Sequence, residues 1–155
     1  MTTAHTSFAP ARPATDQDVT ALVTLWTACG LTRPHNHAPT DIAFARKSPN
    51  ADVLVMETDG RIIASVMVGH DGHRGWVYYV AVDPTYQRHG LGRHIMAEAE
   101  RWLIEKGIWK MHLIVRKSNQ AMHTFYDTLG FVQEDVIAFS KRLKPMPHID
   151  PKAPL

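Results

Sequence analysis

The apolar run Val77–Val82, followed by Gln87-Arg88-His89-Gly90-Leu91-Gly92 and then an amphipathic stretch, constrains this chain more than any other feature. A strand that feeds a glycine-containing turn and then a helix makes a cradle of backbone N–H groups for a phosphate-rich ligand. Gly90 permits positive φ, and Gly92 is expected to let the backbone approach a ligand without an intervening Cβ. The helix start adds the positive end of its macrodipole. Arg88, His89, Arg93 and His94 can add charge around the mouth. The spacing Gln-x-x-Gly-x-Gly lacks the third glycine of the dinucleotide fingerprint and the Lys-Ser/Thr of a Walker loop. Taken alone, it also fits an ordinary strand-to-helix turn.

The rest of the chain narrows the partner. Its 155 residues make one domain able to bury a core. With 17 basic and 15 acidic residues the formal charge is +2, which forces neither a nucleic-acid nor a membrane partner. No aromatic RNA-binding motif or concentrated basic run points to nucleic acid. Cys29 is the only cysteine, which excludes an intramolecular disulfide and a multi-cysteine zinc site and fits a reducing compartment. No apolar run approaches the roughly 20 residues of a membrane span. The first residues have neither the basic start nor the apolar stretch of a signal peptide, so a cytoplasmic location is expected.

Residues 1–7 and the proline-rich 144–155 read as flexible ends around one domain over 8–143. A short strand is expected over Phe8–Ala14, then a helix over Asp16–Cys29 with Val19, Leu22, Val23 and Trp26 on one face, stopped by Gly30. A loop over Leu31–Pro39 leads to a short helix over Thr40–Lys47. Val53–Thr58 and Arg61–Val68, joined at Asp59-Gly60, carry a strong hairpin signal. The turn Gly69–Gly75 then leads to the strand Trp76–Val82. A helix over Gly92–Lys106, with Ile95, Ala99, Trp102 and Leu103 as its stripe, ends at Gly107. A strand over Met111–Val115, a helix over Ser118–Leu129 and strands over Phe131–Gln133 and Val136–Arg142 complete an α+β domain with a mixed sheet.

A second constellation joins the phosphate loop. Asn119 opens a helix and Tyr126 lies two turns on, so both side chains point to nearly the same side. An amide there can bond an amide-bearing ligand arm. A phenol with a reference pKa near 10 is protonated at neutral pH and can donate to a developing thiolate. In isolation Met122, Phe125, Tyr126 and Leu129 also fit a core stripe. The whole order decides between the two: strand, Gln-x-x-Gly-x-Gly, helix, strand, Asn, Tyr, Leu-Gly-Phe.

Val80-Ala81-Val82-Asp83-Pro84, Gln87-x-x-Gly90-x-Gly92, Asn119 and Tyr126-x-x-Leu129-Gly130-Phe131 together resemble the core motifs of the GNAT N-acetyltransferases, over about Val53–Leu143. Leu31-Thr32-Arg33-Pro34-x-Asn36, Asp41-Ile42 and Asp71-Gly72-His73-Arg74-Gly75 are further similar to YpeA-type bacterial members. The resemblance implies a mostly antiparallel mixed sheet, splayed between its fourth and fifth strands and flanked by about four helices. It implies acetyl-CoA as co-substrate and no metal. Val80, Ala81 and Val82 would hold the pantetheine arm and polarise the thioester carbonyl through main-chain groups. Gln87, Arg88, His89, Gly90, Leu91, Gly92 and Arg93 would hold the pyrophosphate. Asn119 would contact the cofactor arm, and Tyr126 would protonate the departing sulfur.

The acceptor would be a primary amine attacking directly, either a small molecule or a peptide N-terminus. Arg33, His35, Asn36 and Asp41 lie where such proteins shape the acceptor side, and homodimers are common among them. Many members carry a Glu where this chain has Trp76. Glu57, His70, Asp71, His73 and Tyr79 are the candidate substitutes for a base, but none is singled out. His70, Asp71 and His73 make a weak metal set without a fourth ligand. A non-catalytic acetyl-CoA-binding module is the rival reading.

Overall fold

The computed structural model describes residues 7–155. The expected frayed start therefore falls, but for Ser7, outside the described residues. Arg12–Pro13 (β1), Ala51–Thr58 (β2), Arg61–His70 (β3), Gly75–Val82 (β4) and Met111–His112 (β5) form one sheet in the order β1-β2-β3-β4-β5. The first three pairings are antiparallel and β4–β5 is parallel. Val19–Ala28 (α1) and Ala38–Lys47 (α2) pack on one face, Leu91–Glu105 (α3) and Gln120–Thr128 (α4) on the other.

Both sheet faces are covered, and the sequence shows it. Val53–Met56 and Ile62–Val66 are buried without interruption rather than in alternation. Val53 and Val55 face the α1/α2 layer, whereas Leu54 and Met56 face α3 and α4. The stripe of α3, Leu91, Ile95, Met96, Ala99 and Leu103, is buried along its length. Each large aliphatic side chain so buried stabilises by about 1.5–3 kcal/mol relative to exposure. The β2–β3 hairpin turns on Asp59 and Gly60, both left-handed at φ 51° and 73°, which matches the twist of the strands it joins. Before α1 a single 3-10 turn covers Asp16–Asp18, where the Thr15 amide donates to Asp18 at 2.7 Å. Hydrogen bonding from Arg12 is the main cause that holds the Asp18 carboxyl at about 2.

The ends of the sheet depart from expectation. β1 is two residues rather than Phe8–Ala14, because Pro10 and Pro13 have no N–H to extend a ladder. β5 pairs only through Met111 and His112, with Gly75 and Trp76, so the expected strand to Val115 is cut short and the seam opens beyond Trp76. The strands expected over Phe131–Gln133 and Val136–Arg142 do not form. That segment runs beside β5, tied by Glu134 to Lys110 at 2.8 Å and to His112 at 3.5 Å. Val132, Val136, Ile137, Phe139 and Leu143 are left exposed. Strand propensity is realised only through pairing, and a two-residue edge offers too little of it.

Residues 144–155 form turns without helix or strand. Arg142 donates to the carbonyls of Pro151, Ala153 and Pro154, and His148 stacks on His37 at 4.5 Å. Among the described residues no helix is long and apolar enough to cross a membrane.

Candidate active site

The site begins as an irregularity in β4. Its pairing with β3 passes from Tyr78↔Met67 to Ala81↔Ser65, leaving Tyr79 and Val80 opposite Val66 alone. This is a β-bulge, which re-aims side chains and strengthens local twist. Trp76 and Tyr78 line a cleft on the α2 side, and the bulge puts Tyr79 on that same helical layer, stacked on Trp26 of α1. Val80 and Val82 pack against the α3/α4 core instead. Tyr79 has φ 51°, a left-handed conformation that costs an aromatic residue about 1–3 kcal/mol.

Beyond the bulge, the Asp83 amide donates to the Ile63 carbonyl at 2.8 Å. By alternation, the main-chain groups of Val80 and Val82 point away from β3, toward the seam that opens between β4 and β5. The Val82 carbonyl accepts the Cys29 thiol at 3.2 Å, which leaves its N–H for another partner. Burial pushes that thiol up. Asp83 ends the strand and caps the turn Pro84–Tyr86. Burial alone would raise its carboxyl, but the Thr85 amide and hydroxyl and an ion pair with Arg61 at 2.7 Å outweigh it and hold it low.

The glycine loop then enters α3. Gly90 sits at φ 77° as the residue before the helix, and a Cβ there would meet nothing within 4 Å. Conformation, not crowding, thus requires glycine. Arg88 is also left-handed, at φ 68°. The first intrahelical bond runs from His94 to Gly90, so the amides of Leu91, Gly92 and Arg93 have no helical acceptor.

Gly92 also has a packing role. A Cβ on it would lie 3.0 Å from the Phe125 ring and face Val82, so it serves close packing of α3 against α4 and β4. Two expected charges also turn elsewhere. Arg93 reaches the Thr128 carbonyl at the end of α4, at 3.5 Å, and His94 lies 4.0 Å from Glu98. His89 donates to the Tyr86 carbonyl at 3.0 Å, while Gln87 and Arg88 are exposed beside the loop.

Across the seam, Asn119 caps α4, its side chain accepting from the Met122 amide at 3.4 Å. That leaves the side-chain NH2 free for a second partner. Tyr126 is buried in the core that includes Val80, Val82, Leu113 and Val115. Phe125 and Phe131 pack edge-on against its ring at 5.0 and 5.4 Å. Burial pushes its phenol up to about 12, so it stays protonated at neutral pH. None of the side-chain hydrogen bonds among the described residues involves its hydroxyl, which is not one of the atoms sealed from solvent without a partner. The glycine loop, the open β4 edge and Tyr126 thus share the α3/α4 side of the seam.

The opposite side is formed by α1, α2 and the loop between them. A cleft of about 320 Å³ there is lined by Asp41, Phe44, Met67, His70, Trp76 and Tyr78 among others. A second, of about 270 Å³, is lined by Val23, Arg33, Asn36, His37 and Tyr79 among others. The Tyr79 hydroxyl donates to Asp41 at 2.7 Å and so links the two. His35 buries its Nδ1 without a partner among the described residues.

The five groups weighed as a base are all engaged. Burial, then the Asp41 carboxylate, hold the Tyr79 phenol well above its ordinary range. Asp71 accepts the amides of Arg74 and His73 and the indole of Trp76, which hold it at about 2. His70 accepts the Gly72 amide at 3.1 Å, and His73 meets Arg74 at 3.4 Å. Glu57, on β2 and so two strands from β4, is paired with Arg12 of β1. Among the described residues no cluster of three or more metal-ligating side chains occurs.

Sequence reasoning did not single out Trp26, beyond its place on a core face, or Ser65 at all. Ser65 is wholly buried and is the lone hydroxyl in an apolar run, which was its available signal.

Residues 19–131 match the Acetyltransferase (GNAT) family. An acetyltransferase of Pectobacterium atrosepticum is 39% identical over 126 residues, covering 81% of this chain and 89% of that protein. Among solved structures, AAC(6')-Iy in complex with the bisubstrate analogue CoA-S-monomethyl-acetylneamine aligns with a TM-score of 0.72 at 18% identity, over 85% of this chain and 97% of that one. The ribosomal-protein-S18-alanine N-acetyltransferase of Escherichia coli aligns with a TM-score of 0.68 at 22% identity, over 80% and 77%.

Proposed function

The chain belongs to the GNAT acetyltransferase family, and on that premise we propose that it moves an acetyl group from acetyl-CoA to a small primary amine, by direct attack in a ternary complex. The observation that carries this reading is the continuity of three unsatisfied features along one seam. They are the β4 edge at Val80–Val82, the loop amides of Leu91–Arg93 and the unpartnered hydroxyl of Tyr126. Such a row suits a ligand with an amide-bearing arm at one end and a pyrophosphate at the other. Bound there, acetyl-CoA supplies the activated acyl group.

Each residue then has one task. The main chain of Val80–Val82 lines up the arm and offers an N–H to the acyl oxygen, where charge develops in the transition state. Gln87–Arg93 hold the pyrophosphate, with Gly90 setting the turn and Arg88 and His89 adding donors. Asn119 gives its free NH2 to the arm. Tyr126 donates its proton to the sulfur as the carbon–sulfur bond breaks and the nitrogen–carbon bond forms. The acceptor enters from the α1/α2 side, where clefts of about 320 and 270 Å³ are of small-molecule size. Asp41 offers a carboxylate there to a cationic amine. Glu57, His70, Asp71, His73 and Tyr79 are all otherwise bonded, so the acceptor's proton passes to solvent, from which the Tyr126 phenolate is reprotonated.

Binding is tested by melting. A ligand that binds only the native state at about 100 times its Kd adds about 2.7 kcal/mol. In a domain of this size that raises Tm by roughly 5–10 °C. Acetyl-CoA is expected to produce such a rise, and an unchanged Tm at saturating acetyl-CoA contradicts the reading.

A further inference from the structure

The strained residue of the β4 bulge is held from both ends by a closed circuit of contacts. The Trp26 indole N–H donates to Ser65 Oγ at 2.8 Å, and the Ser65 hydroxyl donates to the Tyr79 carbonyl at 3.3 Å. The Tyr79 ring returns to Trp26, stacked at 3.8 Å with 3° between the planes. Its hydroxyl is tied down by Asp41. Trp26 and Ser65 are both 0% exposed. A serine buried among Ala64, Val66 and Ala81 costs stability unless its hydroxyl is bonded, and here it both accepts and donates. An alanine would fill the place without that requirement. The serine earns its position by fixing one carbonyl, that of the residue with φ 51°.

What depends on that carbonyl is the next peptide. The Tyr79 carbonyl and the Val80 amide share one rigid plane, so the bond from Ser65 sets where the Val80 N–H points. Val80 is the second residue of the bulge, and its main chain turns to the open seam. Building on the function proposed above, we infer that Trp26 and Ser65 are positioning residues for acyl transfer. They lie on the side of the sheet away from the phosphate loop and orient the Val80 peptide through Tyr79. The effect passes through one hydrogen-bonded chain, so removing either link releases the same peptide.

Two substitutions test this with little loss of volume. Trp26→Phe removes the indole N–H and keeps an aromatic face for Tyr79, and Ser65→Ala removes the hydroxyl. Each is expected to lower kcat about tenfold, as a small misplacement of reacting groups does, with the KM for acetyl-CoA within about twofold of wild type. The double variant is expected to lose about tenfold as well, not a hundredfold, because both changes break one chain. Val68→Ala, a truncation in the same strand that leaves the hydrogen-bonded chain intact, lowers stability and is the control for exchange. Hydrogen exchange of the segment 78–81 gives a readout independent of turnover. It is expected to be about tenfold faster in either variant than in Val68→Ala.

A wild-type protein that transfers no acetyl group to any amine refutes the function proposed above but leaves the exchange test standing. Variants with lowered Tm but wild-type kcat overturn the positioning role. So do exchange rates in 78–81 equal to those of Val68→Ala, or losses that multiply in the double variant.

Discussion

Tyr126→Phe is expected to lower kcat about a hundredfold while leaving acetyl-CoA affinity and Tm close to wild type. A positioned proton donor contributes about 10²–10⁴-fold to a rate. The lower end suits a thiolate, which departs without full protonation more readily than an alkoxide. Burial holds the phenol at about 12, so the proton is present throughout the neutral range. The substitution removes only the hydroxyl, for which the described residues supply no partner, and the edge-on contacts with Phe125 and Phe131 involve only the ring. Steady-state kinetics with titration calorimetry separates the effects: kcat falls while Kd for acetyl-CoA holds. An unchanged kcat would remove Tyr126 from the chemistry and return it to the core stripe.

Gly90→Val is expected to weaken acetyl-CoA binding at least tenfold, whereas Gly90→Asn binds within about threefold of wild type. The contrast follows from the backbone. Gly90 holds φ 77° where an added Cβ meets nothing within 4 Å, so the left-handed conformation discriminates. That conformation costs an ordinary L-residue about 1–2 kcal/mol, more for a β-branched one, and asparagine is among the few that tolerate it. Valine relaxes the loop and turns the Leu91–Arg93 amides away from a common focus. Equal affinity in the valine variant would show that the loop does not hold the pyrophosphate. Gly92 is a separate case, because its Cβ would press on Phe125 and strain the packing of α3 on α4.

Local signals in the sequence were legible and long-range ones were not. Asp59-Gly60 announces its hairpin because the turn chemistry is contained in two adjacent residues. The strand, glycine loop and helix start from Val77 to Ile95 are likewise local. The bulge is not, since it depends on how β4 registers against β3. Its one trace is Tyr78-Tyr79, two large residues in succession where alternation would place them on opposite faces.

Ser65 stands out as a hydroxyl in an apolar run, but its partner Trp26 lies 39 positions away. The acidic and histidine side chains of the turn at 70–74 looked available to catalysis. Asp71 and His70 accept neighbouring amides and His73 meets the Arg74 guanidinium, and spacing does not disclose that. The apolar content of 131–142 suggested strands, yet a strand needs an edge and β5 supplies two residues of one. In the same way, the Gly92 position was legible while its packing role was not, because that role involves a phenylalanine on another helix.

Incubation with acetyl-CoA and a panel of small primary amines and peptide N-termini measures transfer of an acetyl group to an amine directly. Free CoA release is followed alongside mass spectrometry of the products. The expected result is stoichiometric: one acetyl group gained by a small amine for each CoA released, at a rate reduced about a hundredfold in Tyr126→Phe. Tight acetyl-CoA binding with no acetylated product from any amine would contradict it and leave a binding module in place of an enzyme.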